Sequence, residues 1–120
     1  MLILVVDDRP MNNELVRAAL APEHVVEAVE DGLLGLERAL AKRFDLLLLD
    51  IELPGLRGDV VCARLRAAGH REPILALTAS ALPAELATLE HAGFDLVLTK
   101  PIDPDELRAA VRRFDAAPLP

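Results

Sequence analysis

The chain contains no tryptophan, no tyrosine and only three phenylalanines, so the Trp and Tyr expected around a flavin are missing. It has one cysteine, Cys62, which excludes a disulfide framework and a cysteine-based zinc site. It lacks long apolar runs. The longest, Met1–Val6 and Leu46–Leu49, fall far short of the roughly 20 residues that span a bilayer. It is also short of positive charge: 13 Lys and Arg stand against 20 Asp and Glu, a formal net charge of −7. Such a surface repels nucleic acid and anionic lipid, so neither direct nucleic-acid binding nor membrane insertion is expected. No basic stretch precedes the apolar N-terminus, and Asp7-Asp8 follow at once. A signal peptide is therefore not expected, and the cytoplasm is the default compartment.

What is present is a core-forming composition. With 52% hydrophobic residues in 120, the chain is globular rather than disordered and has the length of one domain. At that length no DNA-binding or enzymatic output domain is expected within it. Five short apolar runs recur: Leu2–Val6, Val25–Ala28, Leu46–Leu49, Ile74–Leu77 and Leu96–Leu98. Each is too short for a helix and most lack polar alternation, which predicts parallel strands buried on both faces. Between them lie helical spacings. Met11, Leu15 and Ala18 mark the first, opened by Pro10, and Leu33, Leu36 and Leu40 mark the second, capped by Asp31. Val61, Leu65 and Ala68 mark the third, stopped by Gly69, and Leu82, Leu86 and Leu89 the fourth, ended by Gly93. Leu107, Val111 and Phe114 mark the fifth, with Asp103 and Glu106 spaced as a capping box around Pro104. Gly35 weakens the second helix by about 1 kcal/mol.

Five βα units joined by right-handed crossovers make an α/β fold: a doubly wound, five-stranded parallel sheet of order 2-1-3-4-5, the flavodoxin-like (βα)5 arrangement. Residues 1–115 form the domain, and 116–120 read as a frayed tail or a linker stub. In such sheets, sites form at the carboxyl ends of the strands. The first run closes on Asp7 and Asp8, the third on Asp50, the fourth on Thr78, and the fifth on Thr99, Lys100 and Pro101. Taken singly, an Asp pair after a strand is a cap on a solvated turn, and Lys-Pro is a turn. Taken together, three carboxylates share one edge if strands one and three are neighbours. Two unit charges roughly 5 Å apart repel by about 3 kcal/mol at an effective dielectric of 20. A fold keeps that arrangement for a cation, and a few hard oxygens with room for water suit Mg²⁺ or Mn²⁺.

The motifs are Val5-Val6-Asp7-Asp8, LLLLDIELPGLRGDVVCARLR from Leu46 to Arg66, LTAS from Leu77 to Ser80 and LTKP from Leu98 to Pro101. In order and spacing, over essentially the whole chain, they resemble the response-regulator receiver domains of two-component signalling. The resemblance implies a phosphoacceptor module that takes a phosphoryl group from a phosphohistidine donor onto Asp50. Mg²⁺ would be held by Asp8 directly, by Asp7 mostly through water, by Asp50 and by the carbonyl of Glu52. The Thr78 hydroxyl, the Lys100 ammonium and the N–H groups of Ile51 and Ala79 would hold phosphoryl oxygens, and the Lys100–Pro101 bond would be cis. Such a module catalyses only its own phosphorylation and dephosphorylation. It works in a phosphorelay or as a partner-binding switch, with a histidine kinase or histidine phosphotransfer protein as donor. DDRPMNNELV resembles the receivers of hybrid kinases and some single-domain relays, and the rim from Arg9 to Asn13 with the loop after Lys100 is the expected docking surface.

The chain departs from the family pattern at Val97, where receivers commonly carry an aromatic. A switch here is expected to move the loop after Thr78 without an aromatic rotamer change, or to couple weakly. Arg9 is either a solvated helix-start residue or a partner for a carboxylate or the phosphoryl group. His24, His70 and His91 lie at no ligand spacing. Cys62 is expected in the core, and Arg64–Arg66 and Arg112-Arg113 on solvated helix faces. A phosphatase of the haloacid-dehalogenase type uses similar groups, but its Asp-x-Asp belongs on the first strand. Here the candidate nucleophile closes the third and is followed by Ile51-Glu52.

Overall fold

The computed structural model describes residues 1–80 and 82–115, so the expected tail at 116–120 lies outside the described residues. Strands and helices alternate: β1 (Leu2–Val6), α1 (Pro10–Leu20), β2 (Val25–Val29), α2 (Gly32–Ala41), β3 (Leu46–Asp50), α3 (Gly58–Ala67), β4 (Ile74–Thr78), α4 (Pro83–Ala92), β5 (Leu96–Thr99) and α5 (Pro104–Asp115). All pairings are parallel, in the order β2-β1-β3-β4-β5. The five-stranded doubly wound sheet read from the apolar runs is the one observed.

Alternate strand residues feed two cores. Leu4, Val6, Leu47, Leu49, Ile74 and Ala76 pack against α2, α3 and α4 on one face. Ile3, Val5, Leu46, Leu48, Leu75 and Leu77 pack against α1 and α5 on the other. Every residue of β3 and β4 is buried, which is why those strands show no polar alternation. The two edge strands, β2 and β5, are less buried: among the residues of β5 Leu98 alone is buried. β2 leaves Val25 67% exposed, because no neighbour covers its outer side. Among the described residues, no helix is long and apolar enough to cross a membrane.

Two helix faces differ from the expected ones. On α1 the buried residues are Asn13, Val16, Ala19 and Leu20, while Met11 is 84% exposed and Ala18 lies at the surface. A polar side chain takes a core position there because the Asn13 amide donates to the Asp7 carbonyl at 3.0 Å. On α2 the buried face is Gly32, Gly35, Leu36 and Ala39, with Leu33 and Leu40 outside. Gly35 is the reason: a Cβ there would stand 2.8 Å from the Val6 side chain, so the helix packs closer than a leucine stripe allows. Ala68 and Leu82, expected on inner faces, are exposed, whereas Val61, Leu65, Leu89, Leu107 and Val111 are buried as expected. The cap of Asp31 on Leu34 N–H (2.7 Å) and the left-handed Gly69 and Gly93 match the sequence reading.

Arg66 departs from its expected place on a solvated face. Its guanidinium donates to the carbonyls of Gly93, His70 and Glu72 and to the Asp95 carboxylate, all within 3.0 Å. It ties α3 to the loops before β4 and β5, at the end of the sheet opposite the strand carboxyl ends.

Candidate functional site

Register brings the acids together. Val6 of β1 sits opposite Leu49 of β3, so Asp7 and Asp50, the next residues, leave adjacent strands at one level. Thr78 is the last residue of β4, paired with Thr99 of β5, which puts Lys100 one step further along the same edge. Carboxylate oxygens of Asp7, Asp8 and Asp50 lie within 4.8 Å of one another. Asp7 is fully buried, Asp50 is 4% exposed and Asp8 is open to solvent.

The Lys100 ammonium spans this cluster, 2.9 Å from Asp50 Oδ2 and 3.1 Å from Asp7 Oδ2. The rest of each carboxylate is also engaged. Asp7 Oδ1 accepts the Arg9 N–H at 2.9 Å, Asp7 Oδ2 accepts the Asn12 amide at 3.1 Å, and Asp50 Oδ1 accepts the Glu52 N–H at 3.2 Å. Burial raises the Asp50 carboxyl above its ordinary value, and the charge of Asp7 adds to this; Lys100 and the Glu52 N–H work against it. For Lys100, burial pulls down, but the hydrogen bonds and charges of Asp50 and Asp7 together push the ammonium above its ordinary range. One cation therefore stands among three acids. The residual negative charge of hard oxygen donors, open to a cavity of about 440 Å³, fits a divalent cation. Asp8, Arg9, Asn12, Asp50, Glu52, Ala79, Lys100 and Pro101 line that cavity.

The support is local. Gly58, first residue of α3, donates its N–H to the Ile51 carbonyl at 2.9 Å, and a Cβ on it would fall 2.1 Å from the Asp50 carbonyl oxygen. Only glycine lets α3 begin this close to the end of β3. The Lys100–Pro101 bond is cis, as is Ala21–Pro22.

The other expected residues are placed as follows. Thr78 is 7% exposed, and its hydroxyl accepts the Ser80 N–H at 3.1 Å. It borders a neighbouring cavity of about 190 Å³ rather than the one over Asp50. Ala79 stands on the wall between solvent and Asp50. The Ile51 N–H, expected to face a phosphoryl group, is instead donated to the Leu77 carbonyl at 3.0 Å, because the β3–β4 ladder runs one residue past the strand. The N–H that reaches Asp50 is that of Glu52. Val97 is half-buried on β5, facing a groove of about 230 Å³ beside Leu86 and Phe94, away from the carboxylates. None of the histidines joins the site: His24 lies 3.0 Å from the N-terminal amine, burial lowers His70, and His91 is exposed. Cys62 is wholly buried in the core, which pushes its thiol up to about 11. Gly58 was missed as a site residue, and Asn12 and Asn13, expected only on the docking rim, were missed as donors to Asp7. The signal was a pair of amides in the first turn after an acid pair, and a glycine eight residues after Asp50.

The sequence model of the response regulator receiver domain family matches residues 3–112. Among curated relatives, the transcriptional regulatory protein TcrA of Mycobacterium tuberculosis is 40% identical over 98% of this chain and 47% of its own length. The signal transduction histidine-protein kinase BarA of Escherichia coli is 34% identical over 95% of this chain and 13% of its own. The chain thus spans less than half the length of these two relatives. Among solved structures, the chemotaxis response regulator CheY4 of Vibrio cholerae superposes with a TM-score of 0.89 at 28% identity, covering 94% of this chain and 97% of that one. The receiver domain of a Pseudomonas aeruginosa sensor histidine kinase, solved with a magnesium ion coordinated in its active site cleft, superposes with a TM-score of 0.87 at 34% identity. It covers 97% of this chain and 98% of that one.

Proposed function

The chain belongs to the response regulator receiver domain family, and from that premise we propose that it accepts a phosphoryl group from a phosphohistidine donor onto Asp50. The observation that carries the reading is the placement of Asp50: nearly buried, bonded to Lys100, beside Asp7 and Asp8, at the floor of an open cavity. Residues 1–115 are the receiver unit in this reading. The donor is a histidine kinase or a histidine phosphotransfer protein, and the result is a relay step or a partner-binding switch. The likeness to a stretch of a histidine-protein kinase supports a place in such a system.

A carboxylate oxygen of Asp50 attacks the phosphorus, the N–P bond of phosphohistidine breaks in line, and the imidazole leaves with the electron pair. Little covalent work falls to the protein, so catalysis rests on positioning and on charge at the equatorial oxygens. The Asp50 hydrogen bond from Glu52 N–H fixes the carboxylate plane. Lys100, held on Asp50 before transfer, follows the charge onto the new phosphoryl group. The Thr78 hydroxyl turns from Ser80 to donate to a phosphoryl oxygen, and the N–H of Ala79 is the backbone donor on the cavity wall. Asp8, Asp50 and the Glu52 carbonyl would hold Mg²⁺, or Mn²⁺, with Asp7 mostly through water. A bound cation would neutralise the phosphoryl oxygens and let a dianion approach three acids. The small Ala79 leaves the approach open.

The test is intact mass after incubation with acetyl phosphate. One phosphoryl group should be gained only with Mg²⁺ or Mn²⁺ present, and Asp50→Asn should abolish the gain. A label that survives the substitution, or needs no metal, defeats the assignment. The donor is read to dock on the rim around Arg9, Pro10, Met11 and Pro101, all exposed, with Met11 as its apolar centre. Arg9→Glu or Met11→Gln should slow transfer from the donor protein and spare acetyl phosphate. Equal slowing with both donors would remove the rim from the interface.

A further inference from the structure

We propose that Asn12 is a positioning residue that holds Asp7 in place as a neutral hydrogen-bond donor, so that Lys100 is free to leave it; the inference rests on the reading of Asp50 given above. Asp7 is fully buried, so each of its carboxylate oxygens needs a protein donor. Oδ1 has the Arg9 N–H. Oδ2 has two donors, the Asn12 amide and the Lys100 ammonium, each at 3.1 Å. These two are not equivalent. The ammonium is shared with Asp50 and is the group drawn toward incoming negative charge. The amide is carried by the first turn of α1, whose position is fixed by Asn13 donating to the Asp7 carbonyl at 3.0 Å.

If Lys100 were the only donor on Oδ2, moving it would strand a buried carboxylate oxygen, and the desolvation cost of that atom would oppose the move. The Asn12 amide removes this opposition, because Oδ2 keeps a donor wherever Lys100 goes. The neutrality of the amide matters equally. An arginine or lysine at 12 would give Oδ2 a donor too, but would cancel a charge of the acid cluster that attracts a cation. Asn12 fixes the carboxylate and leaves its charge intact. Its half-buried side chain lines the cavity and belongs to the expected docking surface.

The experiment compares the full chain with Asn12→Ala and Asn12→Lys, by calorimetric Mg²⁺ titration, by urea unfolding, and by phosphate uptake from acetyl phosphate at saturating Mg²⁺. The expected result is a 3- to 10-fold weaker Mg²⁺ affinity for Asn12→Ala and a greater loss for Asn12→Lys. Uptake at saturating metal should slow several-fold in Asn12→Ala, because Lys100 is then retained by Asp7. In the metal-free wild type, the Asn12 side-chain amide should show a slowed-exchange NMR signal that persists when Mg²⁺ is added. A helix-start residue without this role would lower the unfolding midpoint and leave Mg²⁺ affinity and uptake unchanged, and that outcome overturns the proposal. So does a Mg²⁺ affinity in Asn12→Lys equal to that of the wild type. Asp50→Asn run in parallel separates the two readings: uptake that survives it defeats the phosphoacceptor assignment, whereas the Mg²⁺ affinities of the Asn12 variants judge the positioning role.

Discussion

Replacing Lys100 by methionine keeps most of the side chain's length and apolar stem and deletes its charge. Asp7 and Asp50 are then left buried side by side, with oxygens within 4.8 Å. At that separation and an effective dielectric of 20, each pair of charges repels by on the order of 3 kcal/mol. Breaking a buried ion pair by removing one partner costs about 3–5 kcal/mol. The Arg9, Asn12 and Glu52 donors remain, so the lower end applies, and a loss of about 3 kcal/mol is expected. For a chain of this size that is a fall in unfolding temperature of about 10 °C. The loss should depend on pH. Asp50 is already raised by burial, and without Lys100 it rises further. A carboxyl raised in the folded state stabilises that state only when protonated. Its contribution is complete below the unfolded value and lost as pH climbs through the folded one. The gap between variant and wild type is therefore widest near neutrality and narrows on acidification. If the cluster holds Mg²⁺ as proposed, the ion should narrow it as well, because the variant's unneutralised acids would bind it more tightly than those of the wild type. Urea unfolding followed by far-ultraviolet circular dichroism, suited to a chain without tryptophan, reads all three. A variant as stable as the wild type near pH 7, or a gap that widens as pH falls, would refute the reasoning.

Three further outcomes are expected. Gly58→Ala should lose about 2–3 kcal/mol in urea unfolding, because its Cβ falls on the Asp50 carbonyl oxygen, and should also slow phosphate uptake. Arg66→Ala should lose about 2 kcal/mol, chiefly from the abandoned carbonyls of Gly93, His70 and Glu72. The ion pair with the 40% exposed Asp95 adds little, so added salt should leave the loss nearly unchanged. Cys62, buried and with its thiol raised to about 11, should be alkylated at pH 8 only as fast as the fold opens, so sub-denaturing urea should accelerate the reaction. The raised thiol stabilises the fold below its unfolded value, and that part is lost as pH rises toward 11.

The strands were legible because a strand buried on both faces leaves a mark that owes nothing to its neighbours. Leu46–Leu49 needs no partner to be read as core. The residues closing each strand were legible for a related reason, since parallel topology sends every carboxyl end to one edge. Helix faces were harder. On α1 the stripes Met11-Leu15-Ala18 and Asn13-Val16-Leu20 are both helical spacings, and hydrophobicity favours the wrong one. What decides is a polar need at Asp7, which brings Asn13 inside and turns Met11 out. On α2 the deciding contact is Gly35 against Val6, a matter of missing volume that no hydrophobic pattern records. Arg66 was misread for the same reason: sequence shows a charge on a helix, while its five hydrogen bonds depend on loops 4 to 29 residues away in sequence. The Ile51 N–H was assigned by resemblance to an incoming ligand, whereas here the sheet ladder claims it.

The residues around Asp50 rest on two unequal supports. Asp7 and Asp50 leave β1 and β3, interior strands of the sheet that are buried or nearly so along their length. Thr78 leaves β4, equally buried, but the chain beyond it runs into Ser80 and then α4, where Leu89 is the one buried residue of the helix. α4 is held at its far end, by Leu89, by Phe94 and by Arg66 on the Gly93 carbonyl. Its near end begins at Pro83, preceded by Leu82, which is 62% exposed. A pull on the Thr78 hydroxyl by a phosphoryl group would thus meet little resistance in the direction of α4 and a great deal in the direction of the sheet. Segments with few buried contacts are the ones that open at low free-energy cost. Val97 sits under this helix beside the groove of about 230 Å³, with a restricted χ1 and little volume. A rotamer change there would move little volume. If the phosphoacceptor reading holds, a response that crosses this groove is expected to move the helix end itself, or the coupling across it is weak. The strength of the signal is then set by how loosely Leu82 and Leu86 pack, rather than by a side chain changing places.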